Sequence, residues 1–262
     1  MLLNEIRKNA GLLNENYDNL SNKDIYETGK KDPTFDFKKG LDTLISKDKT
    51  GKWIHSAGLD WKTFDFDKGL DGLTKTDKTG RWIHSAGLDW KTFDYNKGLD
   101  ALITKDKTGE WIYYAGKDWK EFDFDKGLDA LITKDKISHW IHYAGQYWKE
   151  FDYKKGLDLL ISRDKTGEYI YRVGRDWKEF DFNKGFDALI EKDKDGYYIF
   201  RAGKDWITFD FNKGFKALEK IGGKWFEQVK KNWPKSYPEK LKEVKDKYKE
   251  NIIPVKRKKL KK

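Results

Sequence analysis

The sequence predicts an all-α fold, a right-handed α-solenoid of about seven two-helix repeats followed by a C-terminal helix and a basic tail. The first observation is a fixed period of 29 residues, at which a Phe-Asp pair recurs. Self-similarity at such a period is typical of repeat arrays. The second is a pair of helical apolar stripes within each repeat, and the third is the composition of the last repeat. The repeats begin at Phe35, Phe64, Phe93, Phe122, Phe151, Phe180 and Phe209.

The first half of each repeat carries the apolar stripe of one short helix. In the copy that begins at Phe122, the stripe consists of Phe124, Leu128, Leu131 and Ile132. Their offsets of 0, 4, 7 and 8 place the side chains on one helical face. An aspartate precedes the stripe in every copy and can accept hydrogen bonds from the first N–H groups of the helix. These aspartates are Asp36, Asp65, Asp94, Asp123, Asp152, Asp181 and Asp210.

The second half of each repeat carries another helical stripe. Trp111, Ile112, Ala115 and Trp119 lie at offsets 0, 1, 4 and 8, again on one face. Between the halves, Lys105–Gly109 supplies Asp, Thr and Gly, which favour turns and helix caps. The recurring tryptophans therefore indicate core packing in a thin two-helix layer, where large rings bury enough area.

A β-hairpin is the competing interpretation of the second half, because aromatic and β-branched residues favour strands. The last repeat argues against it. There, residues 225–233 keep the apolar spacing but contain good helix formers and no glycine. Two helices of about ten residues with short connections also fill one repeat. We therefore expect α/α repeats.

Three segments are expected along the chain. Residues 1–34 would hold an N-terminal capping helix, over about 1–20, and a half-repeat that includes Ile25 and Gly29. Residues 35–233 would form the tandem-repeat solenoid. Residues 234–262 would form the C-terminal helix and the basic tail. Atypical end repeats are expected, because one side of an end repeat faces water.

Composition indicates a water-soluble intracellular protein. The chain has no cysteine, which fits a reducing compartment. It has no apolar run long enough to span a membrane and no apolar signal-peptide segment at its N-terminus. We expect a cytoplasmic location, or a nuclear one in a eukaryotic host. The Lys-, Asn- and Asp-rich composition points to an AT-rich genome, such as that of a phage or virus.

The positive charge is confined to the C-terminal end. Residues 220–262 hold 16 of the 55 Lys and Arg and 5 of the 45 Asp and Glu, which leaves 39 basic and 40 acidic residues in 1–219. A protein that wraps nucleic acid along its repeats should carry its charge along them. The tail could instead bind a polyanion or act as a nuclear-import signal, or it could serve solubility alone. Its basic residues are Lys256, Arg257, Lys258, Lys259, Lys261 and Lys262.

Enzyme chemistry is not expected. The carboxylates recur in similar environments, as at Asp36, Asp42, Asp48 and Asp60, whereas an acid–base pair needs two different ones. We expect them to form caps and surface ion pairs. Three histidines occupy one repeat position, about 10 Å apart from layer to layer, too far for one metal ion, and the fourth, His139, adds no third ligand. No phosphate-binding glycine motif and no nucleophile constellation occur. The sequence therefore predicts no cofactor and no metal site.

Three columns of the second helix vary between repeats. The ring column lies two residues after the first tryptophan, at His55, His84, Tyr113, His142, Tyr171 and Phe200. The flanking column follows it, at Ser56, Ser85, Tyr114, Tyr143, Arg172 and Arg201. The outer column is Leu59, Leu88, Lys117, Gln146, Arg175 and Lys204. We expect the ring and outer columns to point away from the core. They would then form a protein-binding surface that becomes basic toward the C-terminus, or else the rings would pack on the neighbouring repeat.

One repeat departs from the pattern. Ile137, Ser138 and His139 replace Thr-Gly-x, and Gln146 and Tyr147 replace x-Asp. This departure could mark a bend, a contact site or neutral drift.

The sequence resembles short tandem two-helix repeats of bacterial and phage proteins. The resemblance rests on the Trp-Lys-Glu-Phe-Asp turn at 119–123, the Ile-Thr-Lys-Asp turn at 132–135 and the Tyr-Ala pair at 143–144. It covers about residues 20–235 and implies the helical repeat fold without implying a particular activity. We therefore expect a non-catalytic scaffold that binds another protein through the varying columns. The alternative is a nucleic-acid-binding protein that acts through the basic C-terminal end.

Overall fold

The computed structural model describes residues 17–230 and residue 233. Within these residues the chain is helical and contains no β-strand, which confirms the expected all-α class. A 3-10 turn at Tyr17–Asn19 precedes the helices, and residues 223–230 are helical as well. The named helices are α1 Asn22–Lys31, α2 Phe37–Lys47, α3 Lys52–Asp60, α4 Phe66–Thr76, α5 Arg81–Asp89, α6 Tyr95–Lys105, α7 Glu110–Asp118, α8 Phe124–Lys134, α9 His139–Tyr147, α10 Tyr153–Arg163, α11 Glu168–Asp176, α12 Phe182–Lys192, α13 Tyr197–Asp205 and α14 Phe211–Ile221.

Each of the first six repeats folds into one even-numbered helix of eleven residues and one odd-numbered helix of nine. The even-numbered helix α8 begins after Asp123, whose side chain accepts a hydrogen bond from Lys126 N. The odd-numbered helix α7 begins after Gly109, which has a φ of 88°. Glycine fits this left-handed position at little steric cost, so the predicted turn closes tightly. Both predicted helices of the repeat are confirmed.

The described chain forms two compact units. The first, Met1–Asp152, contains α1 to α9, and the second, Tyr153–Lys262, contains α10 to α14 and residues 223–230. Within the first unit, successive odd-numbered helices pack side by side, and each also packs on the even-numbered helices next to it in sequence. Within the second unit, α11 packs on α12 and α13 in the same way. This succession of neighbouring pairs is compatible with a helical solenoid. The predicted right-handed sense stays a prediction.

Much of the core of each layer comes from the two predicted stripes. Leu128 and Leu131 of α8 are buried, as are Ile112 and Ala115 of α7 and the Trp119 that ends it. Burial of a leucine or isoleucine side chain stabilises the fold by about 1.5–3 kcal/mol. The interpretation of these five residues as core is therefore confirmed, whereas the other stripe residues are half-buried: Phe124, Ile132 and Trp111, with Trp53, Trp82 and Trp140 at the position of Trp111.

The two ends of the array follow the prediction in part. The predicted half-repeat forms α1, in which Ile25 is fully buried and Gly29 packs against the Trp61 ring. The predicted capping helix over 1–20 is described only from residue 17, where the chain forms the 3-10 turn. The predicted C-terminal helix and tail lie outside the described residues. The predicted boundaries at residues 34 and 234 stay predictions.

Candidate binding face of the odd-numbered helices

A buried aspartate organises the start of each odd-numbered helix. Asp106 Oδ1 accepts hydrogen bonds from the backbone N–H groups of Thr108 and Gly109, both at 2.9 Å. Its Oδ2 accepts from Trp111 N at 2.7 Å and Ile112 N at 3.1 Å. One carboxylate thus satisfies four backbone donors at a helix N-terminus, where negative charge is favoured. The same buried position is held by Asp48, Asp77, Asp106, Asp135, Asp164 and Asp193.

The other recurring carboxylates form caps and ion pairs, as predicted. In the first unit, Lys97 Nζ lies 2.8 Å from Asp71 Oδ1, and Lys126 Nζ lies 2.6 Å from Asp100 Oδ1. Each pair joins an even-numbered helix to the preceding one. Exposed pairs of this kind contribute less than about 1 kcal/mol. These carboxylates have structural partners that explain why they recur.

The expectation that the ring column points outward is wrong. Every member of this column is buried, with at most 6% of its surface exposed. The residues concerned are His55, His84, Tyr113, His142, Tyr171 and Phe200. A helix in a stack has neighbours on both sides, so its buried arc is wider than the stripe that faces its own partner helix. The alternative interpretation, in which these rings pack on the neighbouring repeat, describes the structure.

His55 shows how this packing works. Its ring lies 5.3 Å from the Trp82 ring of the next repeat, and its Nε2 lies 3.1 Å from Asp89 Oδ2. The backbone carbonyl of His55 accepts a hydrogen bond of 3.1 Å from Trp90 Nε1. Tyr26 occupies the equivalent position on α1, and its hydroxyl donates a hydrogen bond to Asp60 of the next repeat. The ring column therefore joins one odd-numbered helix to the next.

Burial changes the acidity of several ring-column side chains. Desolvation lowers the pKa of His55, and the nearby Asp89 carboxylate offsets part of this effect. Desolvation also lowers the pKa of His84, whose Nε2 has no hydrogen-bond partner and lies 3.7 Å from Asp118 Oδ2. Desolvation raises the pKa of Tyr113 to about 12. These side chains therefore favour their neutral forms, as groups in an interior interface do.

The flanking and outer columns form the accessible face of the odd-numbered helices. Among the flanking residues, Tyr114, Tyr143, Arg172 and Arg201 are half-buried, so that each presents one edge to solvent. The outer column is more exposed, and Leu59 and Leu88 expose 44% and 46% of their surface. We call these two columns the outer face. Of the ten predicted partner-binding residues, only the four in the flanking column lie on it.

Aromatic rings cluster at the outer face and beside it on α7 and α9, within the first unit. The His139 ring contacts the Tyr143 ring at a centroid distance of 4.8 Å, and Tyr143 stacks on Tyr147 at 6.1 Å. The Tyr114 ring lies 5.9 Å from the Trp140 ring, which links α7 to α9. Tyr147 exposes 51% of its surface. Four aromatic side chains and the ring of a histidine thus form a connected patch at the surface.

The outer face is basic in the second unit. Arg172 forms an ion pair of 2.5 Å with Glu168, and Arg201 forms one of 3.1 Å with Asp205, each within its own helix. Lys204 Nζ lies 4.2 Å from the centroid of the Phe200 ring, within cation–π range. Cations therefore lie against aromatic rings on α11 and α13, where the first unit has serine and leucine at α3 and α5. This agrees with the change in charge expected from the sequence.

Sequence reasoning left two exposed residues out of the candidate site. Ile137 exposes 69% of its surface and Tyr147 just over half. Both belong to the irregular repeat, so the departure from the pattern was the signal that could have identified them. The predicted polyanion-binding residues of the tail, 256–262, lie outside the described residues.

The rest of the described chain contains fewer features of a functional site. A cavity of about 390 Å³ in the second unit is bordered by Tyr153, Phe180 and Lys184. Lys184 pairs with Asp158 there. Within the described ranges, no three His, Asp or Glu side chains come together as metal ligands would. The helices described also include none that is both long and apolar enough to cross a bilayer.

Comparisons with protein-family models, with curated proteins and with solved structures find no match to this chain.

Proposed function

We propose that this protein is a non-catalytic repeat scaffold that binds another protein through the outer face of its odd-numbered helices. The observation that carries the proposal is the contrast between fixed and varying positions. Residues that hold the layers together, such as Ile112, Trp119 and Asp106, recur with little change. The outer face changes from serine and leucine to tyrosine and then to arginine and lysine. Repeat proteins commonly bind partners through such varying surfaces.

The residue types on the outer face support a protein partner. Tyrosine, tryptophan and arginine are enriched where proteins bind one another, because each combines a large contact area with polar groups. Tyr114, Tyr143 and Arg201 are already held by neighbouring side chains. A side chain that is ordered before binding loses less conformational entropy when a partner docks.

A nucleic-acid-binding role is the second candidate, and the sequence observation that favours it is the basic tail at 256–262. Exposed lysines and arginines attract polyanions at long range, and salt screens this attraction. The tail would then add affinity without sequence preference. The two candidates differ in the residues they need and in their dependence on salt.

The test is affinity capture with the full chain from extracts of its natural host. The outer-face variant carries Tyr114→Ser and Tyr143→Ser, residues that other repeats hold at Ser56 and Ser85. If the proposal holds, a protein partner survives a rise in salt from about 50 to 300 mM and is lost from the variant. If the captured material is nucleic acid, is released by salt and is retained by the variant, the tail is the binding element and the scaffold proposal fails.

An intracellular location and a bacterial or phage origin belong to the same proposal. They rest on the absence of cysteine, on the composition and on the resemblance to two-helix repeats of those genomes. Capture of a partner that is itself intracellular would support the proposed location.

A further inference from the structure

We propose that the aromatic patch on α7 and α9 is the docking site for an extended proline-rich segment of the partner. The patch consists of Tyr114, His139, Trp140, Tyr143 and Tyr147. This inference rests on the proposed function, since it gives the chemistry of the segment that the scaffold would bind. Polyproline II segments dock on surfaces lined with aromatic side chains, which makes the patch a chemical match.

The irregular repeat retains features that weaken its own turn. Ser138 has a φ of 66°, and within the described residues it is the one non-glycine residue with a positive φ. The equivalent Gly109 and Gly80 adopt this conformation without a side chain in the way. Ile137 occupies the position equivalent to Thr108, whose hydroxyl donates a hydrogen bond to Asp106. Isoleucine cannot form this hydrogen bond. Backbone strain at a position where other repeats have an unstrained solution points to a role outside folding.

The same repeat also places its largest exposed apolar groups at α9. Ile137 lies just before the helix, and Tyr147 is its last residue. In the other complete repeats an aspartate such as Asp89 or Asp118 occupies the position of Tyr147. Exchange of a charged surface residue for an exposed ring reduces solubility unless a partner covers it.

The charge of the patch favours an uncharged ligand. Among the described helices, α9 is the one that contains no Lys, Arg, Asp or Glu. Its neighbour α7 carries Glu110, Lys117 and Asp118, and Lys117 Nζ lies 5.8 Å from the Tyr114 ring. A nucleic acid would meet few cations here to neutralise its phosphates. An acidic peptide would meet more carboxylates than cations on α7, and on α9 a peptide of either charge would find no Lys, Arg, Asp or Glu to pair with.

The usual spacing of packed helices matches a polyproline II repeat. Packed neighbouring helices lie about 8–10 Å apart. A polyproline II helix rises about 3.1 Å per residue with three residues per turn, so it repeats about every 9 Å. A segment that crosses α7 and α9 would thus place every third residue on successive aromatic ridges. Its carbonyls have no internal partners and can accept hydrogen bonds from tyrosine hydroxyls.

The test is a fluorescence anisotropy titration of the full chain with fluorescein-labelled decaproline. The patch variant carries Tyr114→Ser, Tyr143→Ser and Tyr147→Asp, so that each position takes the residue found in other repeats. The control variant carries Asp67→Asn and Asp125→Asn, exposed positions of the even-numbered helices at which other repeats have Asn96 and Asn183. We expect saturable binding that changes less than about twofold between 50 and 300 mM salt. The patch variant should bind at least about tenfold more weakly, and the control variant should bind like the wild type.

Several results would overturn the inference. The inference fails if decaproline gives no saturable binding up to about millimolar protein, or if the patch variant binds as tightly as the wild type. Saturable binding of chitohexaose or oligothymidylate in place of decaproline, lost in the same variant, would assign the patch to a saccharide or a nucleic acid. If the triple variant fails to fold, the single variant Tyr147→Asp replaces it in the titration, because this half-exposed side chain contributes little to the core. It should weaken binding several-fold.

Failure here is distinct from failure of the proposed function. If decaproline does not bind while the host protein partner is still captured through the outer face, the scaffold proposal stands and the proline-rich segment is excluded. If decaproline binds at the patch and the captured material is nucleic acid held by the tail, this inference stands and the scaffold proposal fails.

Discussion

The indole Nε1 of Trp119 donates a hydrogen bond of 3.0 Å to the backbone carbonyl of His84, 35 residues earlier in the chain. The same indole lies over Gly87, where a Cβ would meet Nε1 at 2.3 Å. The tryptophan that ends α7 is thus fixed against α5 of the preceding repeat. The relationship recurs for Trp61, Trp90 and Trp148 in the first unit. It provides a direct link between consecutive odd-numbered helices.

Gly87→Ala should destabilise the protein by about 1–3 kcal/mol, because the methyl group would displace the Trp119 ring from a close-packed interface. In an exposed helix the same change stabilises by about 1 kcal/mol. The sign of the change in unfolding free energy therefore shows whether Gly87 contacts the Trp119 ring. Urea unfolding followed by tryptophan fluorescence measures the effect. Ser85→Ala, two residues earlier on α5, is the control and should change stability by less than about 0.5 kcal/mol. An unchanged or higher stability for Gly87→Ala would show that the ring does not pack there.

Asp195→Thr should stabilise the second unit at neutral pH. Burial and, secondarily, the neighbouring Asp195 raise the pKa of Asp193 to about 6. When folding raises the pKa of a carboxyl, the folded protein binds its proton more tightly than the unfolded chain does. The protein therefore loses stability as the pH rises from the unfolded pKa of about 3.9 through the folded pKa of about 6. Threonine at this position donates to the turn aspartate in other repeats, as Thr166 does to Asp164. We expect a gain of about 1 kcal/mol at pH 8 that disappears near pH 4.

The reciprocal change provides the control for this prediction. Thr166→Asp should create the same carboxyl pair at Asp164 and lower stability above pH 6. Thermal melts across pH 4–8 would test both variants. If the difference between Asp195→Thr and the wild type does not depend on pH, the two carboxyls do not interact as described.

His55→Tyr combined with His84→Tyr should reduce acid sensitivity of the first unit. Burial lowers the pKa of both histidines, so the unfolded chain binds more protons than the folded one. Stability contributed by these neutral rings is therefore present at high pH and is lost as pH falls below about 6.5. Tyrosine already occupies this position at Tyr26 and Tyr113. The variant should lose less melting temperature than the wild type between pH 7.5 and 5, as measured by circular dichroism. An equal loss would contradict the assignment.

Ser138→Gly should stabilise the protein by about 1 kcal/mol. Serine at a φ of 66° carries a steric cost of about 1–2 kcal/mol, and the greater freedom of glycine in the unfolded chain offsets part of the gain. The matched reverse change, Gly109→Ser, should destabilise by at least as much, because its Cβ would also meet Leu131 Cδ2 at 2.7 Å. Urea unfolding of both variants provides the measurement. A loss of stability in Ser138→Gly would show that the serine side chain has a structural role in the turn.

Most of the fold could be predicted from the sequence, because seven copies report the same local pattern. The spacing of Leu128 and Leu131 predicted one helix, that of Ile112 and Ala115 predicted the other, and Gly109 predicted the turn between them. This pattern could not predict that the His55 side chain points toward the neighbouring repeat and not toward solvent. Helical spacing shows which residues share a face, but it does not show how far neighbouring repeats extend around the helix.

The candidate site could be predicted only in part for the same reason. Tyr114 and Arg201 lie at the edge of the buried arc, so their half-exposed state follows from the packing of adjacent layers. Tyr147 could be recognised from the sequence only as a departure from the repeat. Its exposure depends on the position of α9 in the layer, which the sequence pattern does not specify.

Site-specific photo-cross-linking tests the central claim most directly. The photoreactive amino acid p-benzoylphenylalanine would replace Lys117 on the outer face of α7 or, as a matched control, the exposed Asp125 on α8. The account predicts a cross-link to a host protein from position 117 and none from position 125. Cross-links from position 125 with none from position 117 would contradict the proposal that the odd-numbered helices carry the binding face.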